Sequence, residues 1–473
     1  MQLYNSATRK KDEIIPNEPG KIKMYTCGPT VYHFAHIGNL RTYIMEDVLD
    51  KYLRFTGLDV LRVMNITDVG HLSSDGDTGE DKMLKGAKRE HKTVMEIAKF
   101  YTDAFFSDCE KLNIKTPEVV EPATGCIPEF IALVEGLLEK GYAYEAGGNI
   151  YFDTSKLEQY YIFNNFEEED LEVGVREGVE EDGNKRNKAD FVLWFTKSKF
   201  DDQELKWDSP WGIGYPGWHI ECSGICLKHC GEYLDIHCGG IDNAFPHHTN
   251  EIAQSEAFLD HKWCNHWMHV HHLNTTGGKM SKSKGEFLTV SLLEEKGYDP
   301  MAYRFFCLQS HYRKNLVFSW ENLDNAAVAY KKLIARVAAL LKDADGAVDK
   351  AVFDAARASF CEALDNDMNT SLAVTALYDV FKLDANNATK LVLVEEFDKV
   401  LTLNLVKAAK AEDEKADAGV DAALVAEIEA QIAARAEAKK NKNYAEADRI
   451  RNDLAARGIT LIDTKDGTQF KIG

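Results

Sequence analysis

Six side chains able to bind a metal or carry a proton, Cys222, His237, Cys238, His247, His248 and Glu251, fall within thirty residues in the segment WHIECSGICLKHCGEYLDIHCGGIDNAFPHHTNEIAQSEAF. His247 and Glu251 are four apart at the start of a helical pattern, so both point to one face. Such a pair can close a metal site whose other ligands arrive from distant strands, and zinc accepts Cys, His and Glu in tetrahedral geometry. Two alternatives stay open on spacing. His248, three residues before Glu251, can stand in for His247. Cys222, Cys226 and Cys230 are spaced to align on one helix as a thiolate site, although Cys226 and Cys230 read more simply as small buried apolar residues.

A second candidate lies in KIKMYTCGPTVYHFAHIGNLRT, residues 21–42. Ile22 to Cys27 has the character of a short strand, which Gly28-Pro29 stops. Leu40, Ile44, Val48, Leu49, Tyr52 and Leu53 then recur at helical spacing until Gly57 offers a C-terminal cap. With a further strand expected from Leu58 to Met64, this is a parallel crossover unit. Ligands of such units sit beyond the carboxyl ends of the strands, where Cys27 and His36 fall. His36, Gly38 and Asn39 are placed just before the helix, where backbone N–H groups and the helix dipole favour an anion such as a nucleotide phosphate. A third candidate is GGKMSKSKG, which puts Lys279, Lys282 and Lys284 into six residues after the Gly277-Gly278 turn. A cationic loop of this kind stabilises charge on a leaving polyphosphate.

The elements that position these groups divide the chain. Helical periodicity runs from Val94 to Leu112 and from Ile127 to Lys140, and Gly147 to Asp153 is expected as a strand entering an inserted lobe, roughly Pro117 to Lys206. The acidic run 167–170 and polar run 180–188 of that lobe fit a solvated face. The sheet is expected to resume near Trp207. From Trp320 the chain turns to helices rich in Ala, Leu, Lys and Glu, with one apolar stripe at Leu323, Ala327, Tyr330, Leu333, Ile334, Val337 and Leu340, the pattern of a bundle. KAAKAEDEKADAG is expected as a charged linker, and ITLIDTKDGTQFKI as a closing hairpin with Asp466-Gly467 at its turn. Asp75, Asp77 and Glu80 only loosely suggest a calcium loop, because the required glycine and terminal glutamate spacing are missing.

The chain's 473 residues allow two to four domains. Its N-terminus lacks an apolar core of signal-peptide length, and no stretch approaches 18 uncharged apolar residues, so neither export nor a membrane span is expected and the default compartment is the cytoplasm. Ten cysteines spread through such a chain argue for reduced thiols, some of them metal ligands. A formal charge of −21 argues against a protein that coats nucleic acid by bulk electrostatics, while leaving room for a local basic groove.

His36-Ile-Gly-Asn39 and Lys279-Met-Ser-Lys-Ser283, in this order across a split sheet, resemble the paired signatures of class I aminoacyl-tRNA synthetases. The segments CGPTVYHFAHIGN, NITD, KRN with DFVLW, SPWG, PGWHIECS, DIHCGGID, PHHTNEIAQSEA and KMSKSKG are similar to cysteinyl-tRNA synthetases over most of residues 1 to 320, and DNDMNTSLA and YAEADRIRNDL carry a looser likeness beyond. The resemblance implies an α/β chain. Its Rossmann-like parallel-sheet catalytic domain would lie in two halves, 1–116 and 207–265, around a connective lobe, 117–206. A signature-loop region, 266–319, a helical bundle, 320–405, and a small C-terminal α+β anticodon-binding region, 421–473, would follow.

By the same resemblance the zinc ligands would be Cys27, Cys222, His247 and Glu251. ATP, with Mg2+, would meet Gly28, Thr30, His36, Gly38, Asn39, Asp242, Lys279 and Lys282, of which His36, Asn39, Lys279 and Lys282 would be catalytic. Thr67, Trp218, His219, His237 and His248 would form the amino-acid pocket. Arg435, Lys439, Lys440, Tyr444, Asp448, Arg449 and Arg451 would meet tRNA(Cys), with Tyr444 placed to stack on an anticodon base. Zinc would distinguish L-cysteine from serine, making an editing site in the lobe unnecessary. Departures from the family pattern are Asn39 in place of a second histidine, a longer loop from Gly70 to Glu80, Tyr444 for a frequent tryptophan and Glu286 for a frequent Asn. Two rival functions are a paralogous ligase joining cysteine to an amino sugar, disfavoured by the long basic C-terminal region, and a non-catalytic zinc-stabilised tRNA-binding protein, disfavoured by retention of His36 and both signature lysines.

Overall fold

The computed structural model describes residues 1–69, 82–163, 182–197, 204–275, 278–279, 287–418, 422–464 and 467–472. The chain forms two compact units, Met1–Leu405 and Val406–Gly473. In the first, a small antiparallel pair, β1 (Gln2–Asn5) and β2 (Lys10–Glu13), precedes β3 (Lys21–Thr26). Helix α1 (Ile37–Phe55) returns the chain to β4 (Asp59–Ile66), which pairs with β3 in parallel. All the apolar positions that the sequence spaces helically, Leu40 to Leu53, are buried along α1. His36 caps its start and Gly57, at φ +95°, takes the left-handed turn after its end.

Helices α2 (Lys82–Glu90) and α3 (Val94–Lys111) lead to β5 (Val119–Pro122), the edge of the main sheet. Thr93 and Glu96 form a complete capping box at the start of α3. Helix α4 (Ile127–Glu139) follows. A four-stranded antiparallel sheet then joins β6 (Ala143–Ala146), β7 (Asn149–Phe152), β8 (Phe191–Phe195) and β9 (Tyr215–Pro216). Helix α5 (Trp218–Cys230), β10 (Leu234–Gly240), α6 (Thr249–Leu259) and β11 (Cys264–Val270) complete the main sheet in the order β11-β10-β3-β4-β5, every neighbouring pair parallel. The expected α/β class is therefore the one observed.

Two differences concern the insertion. Val119–Pro122 lies inside the span 117–206 assigned to the lobe, yet it pairs with β4 as part of the main sheet. Trp207, where the sheet was expected to resume, instead bridges Gly214 antiparallel beside the four-stranded sheet, and the main sheet resumes only at Leu234. Short strands with no alternating pattern, VVEP and YP, give periodicity little to detect.

After the main sheet, Leu273–Thr275 pairs antiparallel with Gly278–Lys279 and parallel with Leu316–Phe318. Helices Trp320–Leu341, Lys350–Asp365, Thr370–Val380 and Asn387–Leu401 form the expected bundle. The second unit holds helices Ala422–Lys440 and Tyr444–Ala456 and the antiparallel pair Ile459–Thr464 with Gly467–Ile472, around Ile428, Ile450, Leu454 and Ile459. The turn at Asp466-Gly467 falls partly outside the described residues. The segment expected as a charged linker is helical, within Leu405–Ala418. Its Ala, Lys and Glu are strong helix formers, and that propensity prevails over the charge run. Among the described residues no helix is long and apolar enough to cross a membrane.

Candidate active site and metal centre

The carboxyl ends of β3, β4 and β10 open into a cavity of about 400 Å³. Gly28 follows β3 and presses against the end of β4: a Cβ on it would stand 1.6 Å from the Asn65 carbonyl oxygen. Its own N–H donates to Asn65 Oδ1 at 2.7 Å, and Asn65 Nδ2 donates to Thr67 Oγ1 at 3.1 Å. Thr67 in turn donates to the buried Glu221 at 3.0 Å. The residues Gly28, Thr30, His36, Asn39, Thr67, Trp218 and Asp242, all expected to touch substrate or nucleotide, line this one cavity together with Cys27, Cys222 and His247.

His36 is the N-cap of α1, and its Nδ1 accepts from the Asn39 backbone N–H at 3.1 Å. The helix begins at Ile37, so Gly38 and Asn39 stand inside its first turn rather than before it. Their amides still belong to the helix end that favours an anion.

The four side chains Cys27, Cys222, His247 and Glu251 converge, every one buried, with their ligand atoms all within 4.8 Å of one another. Cys27 Sγ is 4.0 Å from Cys222 Sγ and 3.9 Å from Glu251 Oε1; His247 Nε2 is 3.4 Å from Cys222 Sγ and 3.1 Å from Glu251 Oε1. A tetrahedral ion bonded at roughly 2.0 to 2.3 Å needs donors roughly 3.3 to 3.8 Å apart; the separations here, 3.1 to 4.0 Å, bracket that span, so the set fits a metal ion. A second grouping replaces Cys222 and His247 with His237 and His248. The first set has three members on the cavity wall, whereas His237 and His248 do not line it.

His219, His237 and His248, expected in the amino-acid pocket, stand instead behind this cluster. His237 Nε2 shares a hydrogen bond with Glu251 Oε2 at 2.8 Å, and its ring stacks on Trp267. His219 Nδ1 meets His247 Nδ1 at 2.9 Å, which leaves His247 Nε2 toward the thiols. His248 approaches Cys27 Sγ at 3.3 Å and passes its other nitrogen to His269 at 2.8 Å. Ligand imidazoles and carboxylates are held in just this way by partners behind them. His269 and Glu221 were not singled out by sequence; a histidine in a strand and a glutamate in a helix carry no distinguishing spacing.

Without an ion the cluster is held neutral. Burial pushes the Glu251 carboxyl up to about 8 and the His247 imidazole down to about 3, and raises both Cys27 and Cys222 thiols. A divalent cation would reverse that balance by favouring the thiolates and the carboxylate.

Lys279 sits on the short strand Gly278–Lys279, its backbone paired in register with Asn274. Lys282 and Lys284 lie outside the described residues, as do Glu286 and the loop 70–80 with its Asp75, Asp77 and Glu80. In the second unit, Arg435 is only 5% exposed and binds Asp463 with two hydrogen bonds, 2.8 and 3.0 Å, and Lys439 reaches the same carboxylate. Arg435 therefore ties its helix to the hairpin instead of presenting a free guanidinium. Arg449 pairs with Glu446 and Asp453, and Arg451 with Asp448. Tyr444 is 63% exposed.

This parallel sheet, with the first signature at its helix cap and the opening lysine of the second on a following strand, defines the catalytic domain of a class I aminoacyl-tRNA synthetase. The family model described as tRNA synthetases class I (C) catalytic domain matches residues 13–328. A second, described as cysteinyl-tRNA ligase anticodon binding domain, matches residues 421–470. Cysteine-tRNA ligase of Treponema denticola is 45% identical over 100% of this chain and 99% of its own, and that of Borreliella burgdorferi is 42% identical over 100% of both. The chain belongs to the cysteine-tRNA ligase family. Among solved structures, Mycobacterium tuberculosis methionyl-tRNA synthetase in complex with methionyl-adenylate shares the fold, with a TM-score of 0.53 at 14% identity, covering 82% of this chain and 90% of that one.

Proposed function

We propose that the chain activates L-cysteine with ATP and transfers it to tRNA(Cys), and that a zinc ion held by Cys27, Cys222, His247 and Glu251 selects the substrate. The observation that carries this reading is the sharing of one cavity wall by Cys27, Cys222 and His247 with His36, Asn39 and Asp242. When bound, zinc would accept the substrate thiol as thiolate, a bond that a serine hydroxyl cannot match at neutral pH.

In the first step the cysteine carboxylate attacks the α-phosphorus of ATP and pyrophosphate leaves; Mg2+, when bound, would supply charge neutralisation to the phosphates. His36 and Asn39 stabilise charge at the α-phosphate, Lys279 and Lys282 receive the pyrophosphate, and Asp242 holds the ribose. Trp218, stacked on the His247 ring at 4.2 Å, closes the amino-acid side, and Thr67 shapes its floor. In the second step the terminal ribose hydroxyl of the tRNA attacks the adenylate carbonyl and AMP leaves. Tyr444 and the exposed cations around it meet the anticodon. We assign the chain to the cytoplasm, in keeping with ten cysteines that form no disulfide among themselves.

Exchange of labelled pyrophosphate into ATP that depends on cysteine, followed by charging of tRNA(Cys), tests the reading. Exchange without transfer would favour a ligase that uses a different acceptor.

A further inference from the structure

Arg41 stands on α1 two residues after Asn39 and is fully buried, yet it meets no carboxylate among the described residues. Its guanidinium donates instead to backbone carbonyls. One terminal nitrogen reaches His271 O at 2.5 Å and His272 O at 2.7 Å; the other reaches Lys314 O at 2.7 Å and His311 O at 3.4 Å. The first two carbonyls lead directly into strand Leu273–Thr275, and the other two into Leu316–Phe318, its parallel partner. Leu273–Thr275 is also the strand on which Gly278–Lys279 folds back, Asn274 opposite Lys279.

The far side of the signature loop is tied to the same helix. Ile37 N–H, the first amide of α1, donates to Leu288 O at 2.9 Å, and the Tyr303 hydroxyl donates to Ile37 O at 2.6 Å. The helix that carries His36 and Asn39 thus holds both flanks of the segment that carries the second signature. Burying a guanidinium with no counter-charge is unfavourable, and a neutral side chain would fill the space more cheaply. The two terminal nitrogens carry four N–H donors in one rigid plane, which is what a fork spanning two strand roots requires, while Nε finds no partner among the described residues.

We infer that Arg41 is a positioning residue for adenylate formation: by clamping the roots of both strands it fixes the backbone of Lys279 relative to His36 and Asn39, so that the two signatures meet one triphosphate. Tyr303 supports the same alignment from the opposite flank. The inference rests on the reading of Lys279 as a pyrophosphate-binding residue. Its consequence falls on one step only, because pyrophosphate has left before the tRNA hydroxyl attacks.

The test uses the full chain with Arg41→Lys, which keeps the charge and loses the fork, and Tyr303→Phe, which removes a single hydroxyl. Arg41→Lys is expected to lower kcat for cysteine-dependent pyrophosphate exchange by on the order of 10²-fold. Single-turnover transfer from adenylate already formed on the enzyme should keep its wild-type rate, and metal content and cysteine affinity should be unchanged. Tyr303→Phe should lower exchange by about fivefold in the same selective way. Combined with Lys279→Ala, Arg41→Lys should add no further loss, since both act through one group. An equal loss in both steps, losses that multiply with Lys279→Ala, or unchanged exchange in folded Arg41→Lys overturns the inference. Should Arg41→Lys not fold, unchanged exchange in Tyr303→Phe does so by itself. A wild-type chain without exchange, or a Lys279→Ala variant with full exchange, would instead defeat the reading of Lys279.

Discussion

Replacing His237 by Phe would test whether the histidines behind the cluster set its affinity for metal. The change keeps an aromatic ring against Trp267, on which the imidazole stacks at 4.4 Å, and removes only the donor to Glu251 Oε2. His237 is buried and neutral, its pKa brought down to about 3 by burial, so against a metal-bound, ionised Glu251 its Nε2 can meet Oε2 only as a donor. Glu251 Oε2 then depends on that one donor, while Oε1 faces His247 and Cys27. A hydrogen bond to an ionised group contributes about 1.5 to 3 kcal/mol, which converts to roughly a ten- to hundredfold loss of zinc affinity, the usual range for a partner behind a metal ligand. Titration of metal-depleted protein against a chromophoric chelator measures it, with circular dichroism to confirm folding. A folded His237→Phe variant with wild-type zinc affinity would refute the reasoning.

Four further outcomes are expected. Cys222→Ser should lower zinc content and raise the KM for cysteine together, read by metal analysis and exchange kinetics, because one thiolate of the set is lost. Gly28→Ala should destabilise the first unit by about 3 kcal/mol in urea unfolding, since its Cβ would collide with the Asn65 carbonyl at the joined ends of β3 and β4. Arg435→Ala should lower the thermal stability of residues 406–473 in the full chain, followed by limited proteolysis, because Asp463 loses a bidentate partner. Tyr444→Ala should raise the KM for tRNA by about tenfold and leave tRNA-independent exchange unchanged, as expected for an exposed stacking ring.

The sequence exposes most plainly what depends on periodicity and on local chemistry. The apolar spacing along α1 and the i,i+4 pair of His247 and Glu251 are both properties of neighbouring residues, and the structure contains each of them. What distance in space decides is hidden. Nothing beside His237 in the chain announces that it backs Glu251, and nothing beside Arg435 reveals that Asp463 engages it. Charge was misleading in both directions. Residues 407–418 read as a charged linker yet form a helix, and Arg41 on α1 is buried against carbonyls contributed by residues 271 to 314. The strand Val119–Pro122 falls to the main sheet only because β4 offers its edge, a fact of topology with no mark in four residues.

If a metal at Cys27, Cys222, His247 and Glu251 makes this family member choose cysteine, removing the metal must remove the choice. The most direct measurement compares charging of tRNA(Cys) with cysteine and with serine, before and after metal removal by a chelator and again after zinc is restored. Cysteine charging is expected to be lost with the metal and regained with zinc, with no serine charging in the zinc-loaded protein. Undiminished charging by cysteine in the metal-free, folded protein would contradict that role for the metal.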